Sequence, residues 1–143
     1  MEQLVRDFMR HGAVTCSEDT PVREVAQIMV VNRTRYVVVV RETNEVVGII
    51  SARSMLKAWG KDIDRTPARA LVLPYTITVT PQTPLQDAIR LMQSRRIQHL
   101  IVLNEKAPHT RVVGILSASD IVIHMARSDS EGAQEASAKA GAK

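Results

Sequence analysis

The chain has 143 residues, enough for one compact domain or for two small repeats that share a core. Aromatic residues make up only 3% of it, which argues against stacking on single-stranded nucleic acid, and its one cysteine excludes an intrachain disulfide and a cysteine zinc cluster. The net charge of +4 favours anionic partners, although an ordinary surplus of arginine explains it without a dedicated nucleic-acid surface.

The predicted elements of the first half follow the order β-α-β-β-α after a short N-terminal helix. They are a helix in residues 1–10, an extended segment at 13–17, a helix that begins at Thr20-Pro21, a hairpin of strands at 36–40 and 46–50, and a helix at 52–59. Thr-Pro is typical of a helix start, with Thr as the N-cap and Pro at the first helical position. Cys16 lies in the extended segment, where we interpret it as a small apolar filler rather than a nucleophile.

The second half repeats this order after a linker at residues 60–65. Its elements are a short helix at 66–73, an extended segment at 77–80, a helix that begins at Thr83-Pro84, strands at 99–103 and 112–116, and a helix at 118–127. From Ser128 onward the composition has no periodicity and predicts disorder. The predicted organisation is therefore repeat 1 at 1–62, repeat 2 at 63–127 and a disordered C-terminal tail at 128–143.

Residue numbers indicate that the two halves are a tandem duplication. An offset of 63 residues relates Thr20, Pro21, Met29 and Arg33 to Thr83, Pro84, Met92 and Arg96. An offset of 66 residues relates Val46, Gly48, Ile49 and Ser51 to Val112, Gly114, Ile115 and Ser117. The three extra residues fall in the second hairpin loop, where insertions cost little. We expect neither half to bury a core alone, so that the two repeats share one.

The most informative stretch is residues 112–120, which reads as a buried strand that runs directly into a helix. Ser117 and Asp120 have the spacing of a capping box, so the turn places hydroxyls, a carboxylate and backbone N–H groups at a helix N-terminus, which attracts anions. The upstream copy at residues 46–54 has Ser54 where the second copy has the acid. A plain helix cap is the alternative interpretation of both copies.

Two ordered copies of Thr-Pro at a helix start and of Gly-Ile-x-Ser before a helix resemble the cystathionine β-synthase (CBS) domain, here as a tandem pair over about residues 4–127. Such a pair is often called a Bateman module. The resemblance implies an α/β (α+β) fold of two β-α-β-β-α repeats, related by a pseudo-twofold axis and packed through their sheets. It also implies a regulatory module that binds an adenosine-containing ligand, such as AMP, ADP, ATP or S-adenosylmethionine, between the repeats, with Mg²⁺ as an optional companion of the nucleotide.

The resemblance also implies which residues bind the ligand. Asp120 would hold the ribose hydroxyls and Ser117 would face the phosphates, with an opposite wall from the first repeat. The predicted site residues are Ser117, Ser119, Asp120, Gly12, Ala13, Val14, Thr34, Arg35 and Tyr36. The pseudo-symmetric site would consist of Ser51, Arg53, Ser54, Ile77, Ile97, Gln98 and His99. Because Ser54 replaces a charged acceptor with a neutral one, we expect this site to be weaker, degenerate or empty, while Arg53 leaves room for a phosphate-rich ligand.

The sequence contains no nucleophile elbow, Walker-type loop, paired carboxylates or Cys–His pair, and its histidines share no metal-ligand spacing. It therefore favours a stand-alone sensor over an enzyme. Such a module would act by a change of shape or by association with a regulated protein. Three alternatives stay open: a structural dimerisation module with degenerate sites, a nucleic-acid-binding protein that uses its basic surface and, ranked last, an unrecognised enzyme.

The family resemblance further predicts a homodimer in which helices 52–59 and 118–127 pair with those of a second module. The apolar side chains expected there are Met55, Leu56, Trp59, Ile121, Val122 and Met125. Trp59 has two open interpretations, as a core residue or as part of an exposed stripe. Since neither a signal peptide nor an apolar span of transmembrane length is present, we expect a cytoplasmic protein with no membrane partner.

Overall fold

Two β-sheets and four α-helices form the frame of the protein. The structure, a computed structural model, describes residues 2–73, 76–104 and 111–127. The strands are β1 (Arg10–His11), β2 (Thr15–Ser17), β3 (Tyr36–Val40), β4 (Val46–Ser51), β5 (Thr78–Val79), β6 (His99–Asn104) and β7 (Arg111–Ser117). The helices are α1 (Val22–Asn32), α2 (Ala52–Met55), α3 (Leu85–Arg95) and α4 (Ala118–Arg127). Three short 3₁₀ turns lie at Val5–Asp7, Leu56–Ala58 and Ala68–Leu71.

Each repeat contributes one sheet with the same internal pairing. The first sheet has the order β2-β3-β4 and the second has the order β1-β7-β6-β5. In both sheets a short strand pairs in parallel with the first hairpin strand, and the two hairpin strands pair antiparallel. The second sheet also carries β1, which pairs antiparallel with β7. The predicted β-α-β-β-α order of each half is thus present.

The central strands are buried on both faces. Along β3, Val37 and Val39 join a cluster with α1, whereas Val38 joins a third cluster with Ile49 and Ile101. That third cluster holds residues of both sheets, so the sheets pack face to face through it. Because strand side chains alternate between faces, a strand with apolar neighbours on both sides must be a continuous apolar run. This requirement explains the Val-Val-Val-Val sequence of β3.

The N-terminal segment of each repeat packs on the other repeat, and we call these two segments, residues 2–11 and 66–73, the exchanged arms. In the first arm, the Val5 N–H donates to the Thr83 carbonyl at 2.9 Å. In the second arm, the Ala68 N–H donates to the Thr20 carbonyl at 2.8 Å. These bonds are related by the 63-residue offset, as are the isolated bridges between Leu4 and Pro84 and between Pro67 and Pro21. The exchanged arms therefore follow the pseudo-twofold relation of the repeats.

Two glycines allow the exchanged arms to approach the sheets. A Cβ on Gly114 would lie 2.2 Å from the Arg10 carbonyl oxygen, and a Cβ on Gly48 would lie 2.1 Å from the Val72 Cγ1. Distances this short are not compatible with any side chain unless the neighbour moves. Glycine at these two equivalent strand positions is therefore required by the close approach of another segment.

Some predicted element bounds were wrong, and tertiary contacts explain the differences. In place of the helix predicted at 1–10, residues 2–11 contain the 3₁₀ turn at Val5–Asp7 and β1, because Val5 is buried in the cluster of the second repeat. An isolated helix of this length is marginal without such packing. The predicted helix at 52–59 has one α-helical turn and then the 3₁₀ turn at Leu56–Ala58. Similarly, only Ala68–Leu71 is helical in the predicted 66–73 helix, again as a 3₁₀ turn.

The two long Thr-Pro helices begin one residue later than predicted. Pro21 and Pro84 are the N-cap residues, and neither helix has a side-chain cap. The predicted cap Thr83 instead accepts the Thr80 N–H at 3.0 Å within the preceding turn.

Cys16 is buried, and burial raises the pKa of its thiol to about 11. A buried thiol of raised pKa is consistent with the interpretation of Cys16 as a small apolar filler.

Three further expectations concern other parts of the chain. Residues 105–110, which make up most of the predicted hairpin loop, and the whole tail at 128–143 lie outside the described residues. The boundary between the repeats at residues 62 and 63 stays a prediction. Within the described part of the chain, no helix is both long enough and apolar enough to cross a membrane.

Candidate functional site

Two clefts open between the repeats, and the first contains all nine residues of the predicted ligand site. We call it the Asp120 cleft; its volume is about 560 Å³, within the range of small-molecule pockets. Its walls come from the first repeat and from the β7–α4 turn of the second. The lining residues that sequence analysis missed are Arg10, His11, Asn32, Arg33 and Ile115.

Asp120 serves as a helix cap and at the same time lines this cleft. The carboxylate is 8% exposed, and its Oδ2 accepts the Ser117 Oγ–H at 2.8 Å and the Ser117 N–H at 3.3 Å. In return, the Asp120 N–H donates to the Ser117 Oγ at 3.1 Å. These bonds form the reciprocal capping box at the start of α4. The cap uses Oδ2 and leaves Oδ1 for other partners.

Oδ1 of Asp120 accepts a hydrogen bond from Arg10, a contact that the sequence motif does not predict. The Arg10 Nε–H donates to Oδ1 at 3.3 Å, with the Arg10 side chain 66% exposed. An ion pair with one exposed partner contributes at most about 1 kcal/mol, so ligand hydroxyls can compete for this oxygen. Arg10 reaches the site because β1 pairs with β7, which brings Arg10 opposite Ile115. No local sequence pattern predicts that long-range pairing.

The opposite wall of the Asp120 cleft is a constrained turn between α1 and β3. Arg33 ends α1 in the left-handed region with φ 51°, and the Thr34 N–H donates to the Met29 carbonyl at 3.0 Å. The Thr34 Oγ1 accepts the Tyr36 N–H at 3.2 Å. This turn places the exposed side chains of Arg33 and Arg35 along the cleft. Guanidinium groups in such a position suit the recognition of phosphate.

The second cleft, which we call the Ser54 cleft, has a volume of about 710 Å³. Six of the seven residues predicted for the pseudo-symmetric site line it: Ser51, Arg53, Ser54, Ile97, Gln98 and His99. Ile77 does not; it packs against the core cluster that contains Val79. Residues two apart in an extended segment share a face, so Ile77 follows Val79 towards the core. Lys57, Leu73 and Arg96 also line the cleft and were missed.

Ser54 is used entirely within its own turn. It is 2% exposed, its Oγ accepts the Ser51 N–H at 2.9 Å, and its hydroxyl donates to the Ser51 carbonyl at 2.9 Å. The Ser54 N–H in turn donates to the Ser51 Oγ at 3.1 Å. The serine thus reproduces the cap of Asp120 but has no second oxygen for a ligand.

Tyr36 and His99 form an aromatic contact beside the clefts. They are related by the 63-residue offset, and their ring centroids lie 4.8 Å apart at an interplanar angle of 47°. Tyr36 lines both clefts, and so does its neighbour Arg35. Burial lowers the pKa of His99, and its Nδ1 has no hydrogen-bond partner among the described residues. His99 is therefore neutral at neutral pH and adds no positive charge to the Ser54 cleft.

Nearly all of the described residues match known proteins. A model of the CBS domain family matches residues 5–61 and again residues 67–127. The CBS domain protein PAE2072 from Pyrobaculum aerophilum, solved in complex with AMP, superposes with a TM-score of 0.72 at 27% identity and covers 82% of this chain and 89% of that one. A putative acetoin utilization protein (AcuB) from Vibrio cholerae gives 0.72 at 25% identity, with 86% and 90% covered.

Two further relatives show the range of proteins that contain this module. The CBS domain pair of protein MJ0100, solved with 5′-methylthioadenosine and S-adenosyl-L-methionine, has a TM-score of 0.73 at 22% identity over 86% of this chain and 95% of that one. A homoserine O-acetyltransferase from Methanosalsum zhilinae is 29% identical over 82% of this chain but only 23% of the enzyme. The chain spans 23% to 60% of the length of the first curated relatives it matches.

Proposed function

The chain belongs to the CBS domain family, and we propose that it is a regulatory module that binds an adenosine-containing ligand in the Asp120 cleft. The observation that carries this proposal is the position of the Asp120 carboxylate, which lines the cleft with only Oδ2 committed to the helix cap. A carboxylate oxygen can accept hydrogen bonds from ribose hydroxyls, and Arg33 and Arg35 across the cleft can bind phosphate. The complex of PAE2072 with AMP supports the choice of ligand.

The same geometry suggests how binding would be transmitted. Ligand in the Asp120 cleft would contact Ser119 and Asp120 of the second repeat and Thr34 and Arg35 of the first. A ligand that bridges two bodies favours the arrangement in which both contacts are made, and it shifts the population towards that arrangement. A regulated protein that senses the arrangement would provide the output. The role is thus sensing rather than catalysis.

Calorimetric titration of the full chain with AMP tests the proposal. We expect saturable binding of one AMP per chain at the Asp120 cleft, and weaker binding of adenosine, because adenosine has no phosphate for Arg33 and Arg35. Guanosine 5′-monophosphate is the matched control for the base. If AMP, ADP, ATP and S-adenosylmethionine all fail to bind, the proposal is wrong and a structural module becomes the better interpretation.

We also propose that the module is a homodimer. Of the six apolar side chains expected at the interface, Ile121 is buried in the cluster of the second repeat at 7% exposure, and Met55 is partly buried against the cluster of the first, so the expectation was wrong for these two. The other four are strongly exposed: Leu56 at 71%, Trp59 at 92%, Val122 at 60% and Met125 at 69%. Trp59 is therefore not a core residue, and exposed apolar groups of this size favour association.

Sedimentation velocity at high micromolar concentration checks the dimer. The wild-type chain should sediment as a dimer, whereas Trp59→Lys should shift it towards monomer because a charge replaces buried apolar area. Val30→Lys is the matched control, since Val30 is also exposed, at 77%, but lies on α1. A wild-type chain that stays monomeric throughout would contradict the proposal.

A further inference from the structure

The side chains that line the Ser54 cleft give it a strongly positive charge. Arg35, Arg53, Lys57 and Arg96 line it, and no acidic residue is among its lining residues. Within residues 2–73, 76–104 and 111–127, none of these four cations forms an ion pair. Like charges gathered in a concave site repel one another and raise the local concentration of anions. The cleft is thus suited to an anion with several charges.

The pseudo-symmetry shows which residues distinguish the two clefts. In the Asp120 cleft, Arg10 is neutralised by Asp120. At the equivalent positions of the Ser54 cleft stand Leu73 and Ser54, so both members of the ion pair are replaced together. The equivalence of the arms is structural, since the Leu73 N–H donates to the Ile49 carbonyl at 2.9 Å where Arg10 is paired with Ile115. The Ser54 cleft therefore lacks the carboxylate acceptor for ribose, and its cations Arg53 and Lys57 stand where the second repeat has Ser119 and Ile123.

We propose that the Ser54 cleft binds a linear polyphosphate group by its charge, without a requirement for ribose. Arg53 and Arg96 would hold the phosphates from opposite repeats, with Lys57 and Arg35 beside them. Ser54 cannot contribute an acceptor because its hydroxyl is bonded within the cap. The concave shape and the apolar side chains of Leu73 and Ile97 favour a small ligand over a nucleic-acid duplex.

The proposal goes beyond adenosine binding in the Asp120 cleft and can fail independently of it. Arg53 and Arg96 line only the Ser54 cleft, whereas Asp120 lines only the other. Substitutions at these positions therefore separate the two clefts. Arg95 is an exposed neighbour of Arg96 that lines neither cleft, which makes it the matched control.

Calorimetric titration of the full chain with sodium tripolyphosphate at constant ionic strength tests the proposal. We expect saturable binding of one tripolyphosphate per chain, weakened at least about fivefold by Arg53→Gln or Arg96→Gln and unchanged by Arg95→Gln. The affinity should fall steeply as salt is raised, because several charges are neutralised. Adenosine should not displace the tripolyphosphate.

Titration with ATP distinguishes the two sources of the polyphosphate group. Competition between ATP and tripolyphosphate, with the same dependence on Arg53, would identify the occupant as the tail of a nucleotide. Binding of tripolyphosphate alone would identify a free polyphosphate. The proposal is overturned if tripolyphosphate does not bind saturably, if Arg96→Gln and Arg95→Gln bind it equally well, or if a short DNA duplex displaces it and loses affinity in the same variants.

Discussion

Asp120→Ala should weaken the binding of AMP at least tenfold while the protein stays folded. Hydrogen bonds from ribose hydroxyls to a buried carboxylate are charge-assisted and contribute about 1.5–3 kcal/mol each, whereas a tenfold loss corresponds to only about 1.4 kcal/mol. The substitution also removes the capping partner of Ser117, so the free energy of unfolding should fall by up to about 1 kcal/mol. Calorimetric titration and thermal melting measure the two effects separately.

Three variants separate the role of Asp120 in binding from its role in the cap. Asp120→Asn keeps the size of the side chain and an acceptor oxygen but loses the charge, so AMP affinity should fall with little loss of stability. Arg10→Gln releases Oδ1, and AMP affinity should then stay equal or rise. Ser54→Ala is the equivalent change in the other repeat and should leave AMP affinity unchanged. Equal AMP affinity in the wild-type and Asp120→Ala chains, both folded, would show that the ligand site was assigned wrongly.

Gly114→Ala should lower the free energy of unfolding by about 3 kcal/mol, at the upper end of the range for overpacking. The added Cβ would lie 2.2 Å from the Arg10 carbonyl oxygen and 3.1 Å from the Met9 Cε. A backbone oxygen cannot rotate away as a side chain can, so β1 must move off β7. That movement also disrupts the bond from the Gly12 N–H to the Val113 carbonyl, which measures 2.8 Å.

Gly48→Ala is the control for the preceding prediction, because its Cβ would meet mainly the Val72 side chain, at 2.1 Å, rather than backbone. Rotation of the valine can relieve part of the clash, so we expect a smaller loss, of about 1 kcal/mol. Urea denaturation of both variants measures the difference. If Gly114→Ala is as stable as the wild type, then β1 does not pack on β7 as closely as described.

Much of the fold could be predicted because local sequence patterns determine its strands and its long helices. The β-branched run at Tyr36–Val40 has the predicted bounds, and both α1 and α3 begin one residue after the start that the Thr-Pro signal predicts. The wrong bounds lie where long-range packing decides the structure. Residues 1–10 have helical spacing, but their apolar side chains are used by the second repeat, and nothing near them in the sequence indicates this.

The residues of the candidate site likewise divide into those that a local pattern predicts and those that long-range pairing brings to the site. The residues that carry the motif, such as Ser117 and Asp120, were predicted because strand, cap and helix follow one another in the chain. Arg10 was missed because it reaches Asp120 across 110 residues of sequence. The 63-residue offset relates Arg10 to Leu73, so a charged residue stands at this position in one repeat only. That difference is the one signal in the sequence that points to Arg10.

The exchanged arms have a consequence for how the protein unfolds. Val5 of the first arm lies in the hydrophobic cluster of the second repeat, and Ala68 and Leu71 of the second arm lie in the cluster of the first. An intermediate with only the second repeat intact would lack Val5 and Met9 from its core, because both precede the first repeat's sheet in the chain. Because a third cluster holds residues of both sheets, we expect the two halves, although duplicated in sequence, to unfold together as one thermodynamic unit.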